Sequence, residues 1–176
     1  MVRGATPRAG KKGSPLSLKG RALALLAQRE HSAAELRRKL LRHAQALQAA
    51  PDDGAGSNDD APHDTAAQVE AVLHWLGTNG YLSEERFVES RVHARAGRYG
   101  NLRIRQELAQ HGLRLSGPAA QALKDTELDR ATEVWRRKFG VAPVDAAERA
   151  RQARFLAQRG FSPEVISRLL RSGRNS

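Results

Sequence analysis

The 176-residue chain carries 30 Lys and Arg against 19 Asp and Glu, a net charge of +11, and has no cysteine. Lack of cysteine excludes a disulfide framework, thiol chemistry and thiolate zinc sites, while the length suffices for one ordinary domain or several small helical units in a reducing, cytoplasmic setting. The basic balance favours contact with polyanions, either nucleic acid or an acidic protein surface, without saying which.

The chain opens with "MVRGATPRAGKKGSP", where Arg3, Arg8, Lys11 and Lys12 stand among glycines and prolines with no apolar run. This is neither a secretory signal nor a membrane span. It lacks acids, as an organellar transit peptide does, but has one serine and no amphipathic pattern, so residues 1–15 read as a disordered basic arm. From there the apolar period is helical, without alternating strand patterns. A first helix is expected over about 16–30, with Leu18, Ala22, Leu25 and Leu26 on one face. Ser32 starts a second, "SAAELRRKLLRHA", in which Ser32 and Glu35 form a capping-box pattern, Glu35 and Lys39 an i,i+4 pair, and Leu36, Leu40 and Leu41 the buried stripe.

Charge then reverses. Residues 1–43 hold eleven basic and two acidic side chains, whereas 44–85 hold eight acids and no Lys or Arg. Within this interval "APDDGAGSNDDAPHD", residues 50–64, reads as a flexible loop. Asp52, Asp53, Asp59 and Asp60 read as solvated charge rather than a cation site, which needs fixed oxygen geometry. A further reading is that the loop mimics a polyanion and competes for the basic faces.

A third helix, about 65–78, buries Val69, Val72, Leu73 and Leu76 and stops at Gly80. The fourth follows Ser83 through "EERFVESRVHARAGRYG", with Arg91, Arg95 and Arg98 as one i, i+4, i+7 stripe. The fifth is "NLRIRQELAQHG", and the sixth starts near Pro118. The seventh spans "ELDRATEVWRRKFG", the eighth about 145–159, and the ninth opens at Ser162-Pro163. "LAQHGL" at 108–113 and "LAQRGF" at 156–161 each end a middle helix at a glycine. Residues 36, 40 and 43 correspond to 104, 108 and 111 at an offset of 68, against 48 for the later pair, and the acidic insertion accounts for the difference of 20. The expected fold is all-α, a tandem array of three three-helix units: 16–82, 83–125 and 126–171, with a tail at 172–176. No unit has much core alone, so neighbours are expected to stack.

No HExxH, GxxxxGK[ST], GxSxG or GxGxxG motif occurs, so no enzyme activity, cofactor or metal is expected. His31, His43, His74, His93 and His111 lack metal-ligand spacing and are assigned surface or cap roles. Trp75, Phe87, Trp135, Phe139 and Phe155 are assigned to the core. The candidate contacts are Arg91, Arg95, Arg98 and Arg105, then Arg37, Arg38 and Arg42, with Arg136, Arg137 and Lys138 on the last unit. Any one cluster is ordinarily a solvated helix face; repetition across units in a chain of this charge favours a binding surface.

Two stretches carry a family likeness. In "VEAVLHWLGTNGYLSEERFVESRVHAR" into "GNLRIRQELAQHGL", Gly80-Tyr81-Leu82, Phe87, Arg95, Gly100, Ile104, Leu108 and Gly112 fall where the RecX family has them, and "LSLKGRALALLAQREHSAAELRRKL" is similar to that family's opening. Ser83 stands where the family commonly has Asp, and the acidic insertion is unusually long, which leaves the geometry of the first unit open. The resemblance implies an elongated, curved monomer that binds the RecA filament on single-stranded DNA and limits its growth, ATP hydrolysis, strand exchange and coprotease activity. A stand-alone basic helical module for nucleic acid is the alternative, with no membrane association in either case.

Overall fold

A computed structural model describes residues 16–49 and 64–172. The basic arm, all of the acidic loop except Asp64, and the tail beyond Ser172 lie outside them. Among the described residues there are nine α-helices and no strands: α1 Leu18–Leu26, α2 Ala33–Ala49, α3 Thr65–Thr78, α4 Glu84–Ala96, α5 Asn101–Ala109, α6 Gly117–Asp125, α7 Glu127–Lys138, α8 Ala146–Gln158 and α9 Pro163–Ser172.

Short local signals set the helix starts. The hydroxyls of Ser17, Ser32 and Ser83 accept from the backbone N–H three residues on, at 3.1, 3.1 and 3.2 Å. Asp145 caps α8 in the same way at 2.6 Å. Asp64, assigned by composition to the loop, caps α3 instead through Ala66 N–H at 3.0 Å. The capping box at α2 is only half built, because the Glu35 carboxylate turns to Arg29 and, at 3.3 Å, to Lys39.

Helix ends repeat one device. Gly80, Gly112 and Gly160 have φ of 72°, 75° and 80°. The next residue's N–H returns to a carbonyl inside the helix: Tyr81 to Leu76 at 2.9 Å, Leu113 to Leu108 at 3.1 Å and Phe161 to Leu156 at 3.2 Å. The two LAQ segments are therefore the same turn in two successive units.

The core is divided in three. Ala22, Leu25, Leu36, Leu40, Val69, Leu73 and Leu76 form one cluster within α1–α3. Phe87, Ile104, Leu108, Leu113 and Leu123 form a second within α4–α6 and the loop between α5 and α6. Ala131, Val134, Leu156, Phe161, Ile166, Leu169 and Leu170 form the third within α7–α9 and the turn before α9. Each fully buried Leu, Ile or Phe contributes about 1.5–3 kcal/mol. Each group thus closes a buried cluster of its own, more core than was expected of a single unit, and neighbouring groups also meet, through polar contacts.

Candidate nucleic-acid interface

The second and third groups are joined by backbone and by a buried carboxylate. Glu127, 4% exposed at the start of α7, accepts four hydrogen bonds. Two come from Asn101 N–H and Nδ2, both at 3.0 Å, and two from Ser162 N–H at 3.2 Å and its hydroxyl at 3.1 Å. The Ser162 hydroxyl, expected to cap α9, is therefore directed to the junction. One turn along α7, Arg130 donates to Tyr99 O at 2.9 Å, Asn101 Oδ1 at 2.6 Å and Leu123 O at 2.8 Å. Burial lowers the Arg130 pKa from its ordinary value, with Glu127 opposing.

Two backbone hydrogen bonds cross the same junction, Gly100 N–H to Arg159 O at 2.9 Å and Leu102 N–H to Gly160 O at 3.0 Å. The two backbone segments touch so closely that a Cβ on Gly100 would stand 2.3 Å from Gly160 O, and one on Gly160 would stand 2.5 Å from Arg103 N. This approach also ends α4 at Ala96, short of the "GRYG" turn assigned to it by periodicity, because the turn must deliver Gly100 to the third group.

The first junction uses the corresponding positions with different chemistry. Ser32 corresponds to Gly100 and His111 to Arg159 in the repeat. Here Ser32 Oγ lies 2.9 Å from His111 Nδ1, and Arg91 lies 3.4 Å from His111 Nε2. The Phe87 ring meets the imidazole edge at 4.9 Å between centroids. Arg86 adds a second strut, donating to Glu30 at 2.8 Å and to the carbonyls of Gly80 and Tyr81 at 3.0 Å.

Burial, then the charge of Arg91, lowers the His111 pKa, with Arg38 and Arg29 adding to it and Glu35 opposing. His31 is 1% exposed, so of the surface and cap roles assigned to it the surface one is excluded. Its Nδ1 lies 2.9 Å from Arg29 O and its Nε2 2.9 Å from Lys39 Nζ, and burial lowers its pKa too. For Glu35, burial raises the pKa, but the Arg29 hydrogen bond and charge, with His31 and Lys39, outweigh it and hold it at about 2.

The candidate cations fall into separate settings. Arg91 and Arg95 share a recess of about 370 Å³ between α4 and α5 with Arg103. Glu107 sits among them, accepting from Arg95 at 2.8 Å and lying 3.5 Å from Arg103. Arg98, beyond the end of α4, is not in that recess. It lines another of about 340 Å³ with Gly97, Val134, Arg137, Lys138, Phe155 and Arg159. Arg105 is exposed and lines neither recess, since its neighbour Arg103 occupies the phase that faces α4. Arg38 and Arg42 border a recess on α2 with Lys39 and Glu35, whereas Arg37 forms a two-pronged pair with Glu70. Arg136 pairs with Glu133 and does not join Arg137 and Lys138 in their recess.

Of the aromatic residues assigned to the core, Phe87 is buried, while Trp75, Trp135 and Phe155 pack half-buried against the clusters. Phe139, also half-buried, meets Phe155 edge to face at 5.2 Å. Among the described residues no group of three or more His, Asp or Glu side chains is placed to hold a metal ion. No helix there is long and apolar enough to cross a membrane.

Two family models match this chain: the second three-helix domain of RecX over residues 83–114 and the third over residues 125–170. The chain is 50% identical over 158 residues to Regulatory protein RecX of Leptothrix cholodnii, covering 89% of this chain and 88% of the relative. It is 45% identical over 158 residues to that of Ralstonia pickettii, covering 89% and 87%. It is 48% identical over 156 residues to that of Herbaspirillum seropedicae, covering 86% and 88%.

The chain belongs to the RecX family of regulatory proteins. The matched second RecX domain contains Arg91, Arg95, Arg98 and Arg105, and the third contains Arg136, Arg137 and Lys138. Arg103, which the sequence places in the same basic cluster as Arg105, proves to be the one that faces the recess, whereas Arg159 was missed and was signalled only by its equivalence to His111 in the repeat.

Proposed function

We propose that this chain is a non-enzymatic, cytoplasmic regulator of the RecA recombinase, mainly an inhibitor, which acts as a monomer. It binds the RecA filament on single-stranded DNA and limits filament growth, ATP hydrolysis, strand exchange and coprotease activity. The units 16–82, 83–125 and 126–171 present their cationic faces to the filament and its DNA, and no side chain performs bond chemistry. The observation that carries this reading is the repetition of arginine-lined recesses along joined helical groups in a chain of the RecX family. Phosphate contacts by such side chains supply affinity without requiring base readout.

The test is the ATPase rate of the cognate RecA on single-stranded DNA as this protein is titrated below stoichiometry at fixed salt, with a matched basic helical protein as control. Strong inhibition at low ratios, absent in the control, is expected. DNA binding without any effect on the ATPase would instead favour the plain nucleic-acid module. Reversing charge at Arg91 and Arg95 should weaken inhibition without unfolding the chain, and unaltered inhibition would remove those two residues from the contact set.

A further inference from the structure

The arginine-lined recesses differ in one respect that decides what each can hold. Between α4 and α5, Glu107 lies among the arginines and engages Arg95 at 2.8 Å. On α2, Glu35 borders the cationic recess. The recess where α4's end meets α7 and α8 is lined by Arg98, Arg137, Lys138 and Arg159 with Gly97, Val134 and Phe155, and among the described residues no carboxylate lines it. An anion entering there meets four cations and displaces no internal ion pair within the lining.

One of the four is held in place before any ligand arrives. The Arg159 guanidinium lies 4.6 Å over the Phe155 ring and donates to Arg98 O at 3.3 Å, while Phe139 braces that ring edge to face at 5.2 Å. A planar cation fixed on an aromatic ring offers a second face on which a nucleobase can stack. The others, at the end of α7 and in the turn after α4, surround it as exposed charges on long side chains. Cations from two groups thus converge beside the close backbone contact of Gly100 and Gly160.

We infer that this recess is a nucleotide subsite for single-stranded DNA. Arg98, Arg137 and Lys138 hold the phosphodiester, and the Arg159 plane, backed by Phe155, stacks on an unpaired base. The assignment rests on the reading that this chain meets single-stranded DNA, and it moves the principal contact from the Arg91–Arg95 pair to the second junction.

The decisive experiment measures binding of a fluorescein-labelled oligo-dT by the full chain without RecA, over a salt series. Arg137→Ala with Lys138→Ala should weaken binding about tenfold and flatten the slope of log affinity against log salt by roughly 1.4, the loss of two phosphate contacts. Arg91→Ala with Arg95→Ala should weaken it less. Arg98→Ala, placed outside the helices, repeats the test with a slope change of roughly 0.7 should the α7 variant melt early. Arg159→Lys keeps the charge and removes the plane, so the slope should hold while the preference for oligo-dT over an abasic strand disappears.

Wild-type affinity and slope in both the Arg137/Lys138 and Arg98 variants would overturn the subsite. Intact oligonucleotide binding with lost ATPase inhibition would overturn it as well, marking the recess as a surface for an acidic protein segment. Inhibition of RecA by a variant that still binds DNA normally would sink the subsite and leave the regulatory reading standing. A wild-type chain that binds the oligonucleotide through this recess yet never alters the ATPase would do the reverse.

Discussion

The two junctions between helix groups use equivalent positions of one repeat and solve the same problem differently. At the second, Gly100 and Gly160 let backbones touch, and the buried Glu127 gathers four donors from both groups. At the first, side chains span the gap: Ser32 meets His111, and Arg86 reaches Glu30. A backbone contact has no rotamers to lose, whereas each side-chain strut must be ordered against its own entropy and one contains an imidazole. The second junction should therefore be the stiffer, and the first more yielding and, through His111, titratable.

The largest break of this comparison is Glu127→Ala. It leaves Arg130 and the Asn101 and Ser162 donors without their buried carboxylate, and should cost about 4 kcal/mol, read as a fall in the urea midpoint. A loss under 1 kcal/mol would mean that the carboxylate network is not what joins the groups. Gly160→Ala should cost about 3 kcal/mol, because a Cβ there meets the Arg103 backbone and the φ of 80° is strained for alanine. Limited proteolysis of this variant should cut near the α6–α7 connection, and unaltered cleavage would contradict the backbone contact as the source of stiffness.

At the first junction Ser32→Ala removes both the cap on α2 and the partner of His111, at a cost of about 1–2 kcal/mol in the same urea titration. Acidification gives the smallest and most specific difference. The folded chain lowers the pKa of His31 and His111, mainly by burial, so between those folded values and 6.5 it binds fewer protons than the unfolded chain. Stability present above pH 6.5 is then lost as pH falls through the folded values. Glu35, held at about 2, adds a second loss between about 4.5 and 2. Trp75 packs in the first group and Trp135 in the third, so single-tryptophan variants can report them separately. Between pH 7.5 and 5.5 the urea midpoint read from Trp75 should drop more than that read from Trp135, and equal drops would erase the distinction.

What was legible in the chain is what is local. Ser32, Ser83 and the LAQ-Gly turns announce helix ends through residues three to five positions apart, and the leucine period marks the buried faces. Asp64 was hidden because it closes a run of aspartates whose composition reads as loop. Glu127 reads as an ordinary first-turn acid, and only the meeting of Asn101 with Ser162 makes it a buried tie. The candidate site was legible as charge but not as grouping. Spacing placed Arg98 on the stripe of Arg91 and Arg95, yet α4 stops at Ala96 and delivers it to Arg137 and Lys138. Helix phase, not sequence proximity, put Arg103 rather than Arg105 against α4.

The glycine contact also bears on how this protein can change over generations. Where backbones touch, any side chain added at Gly100 or Gly160 would force them apart, so the junction beside Arg98 and Arg137 tolerates only glycine at both positions. The Ser32–His111 contact is adjustable: a longer or shorter residue at either position re-aims α1–α3 relative to the rest. Drift in target geometry can thus accumulate at one end of the molecule while the other keeps its measure.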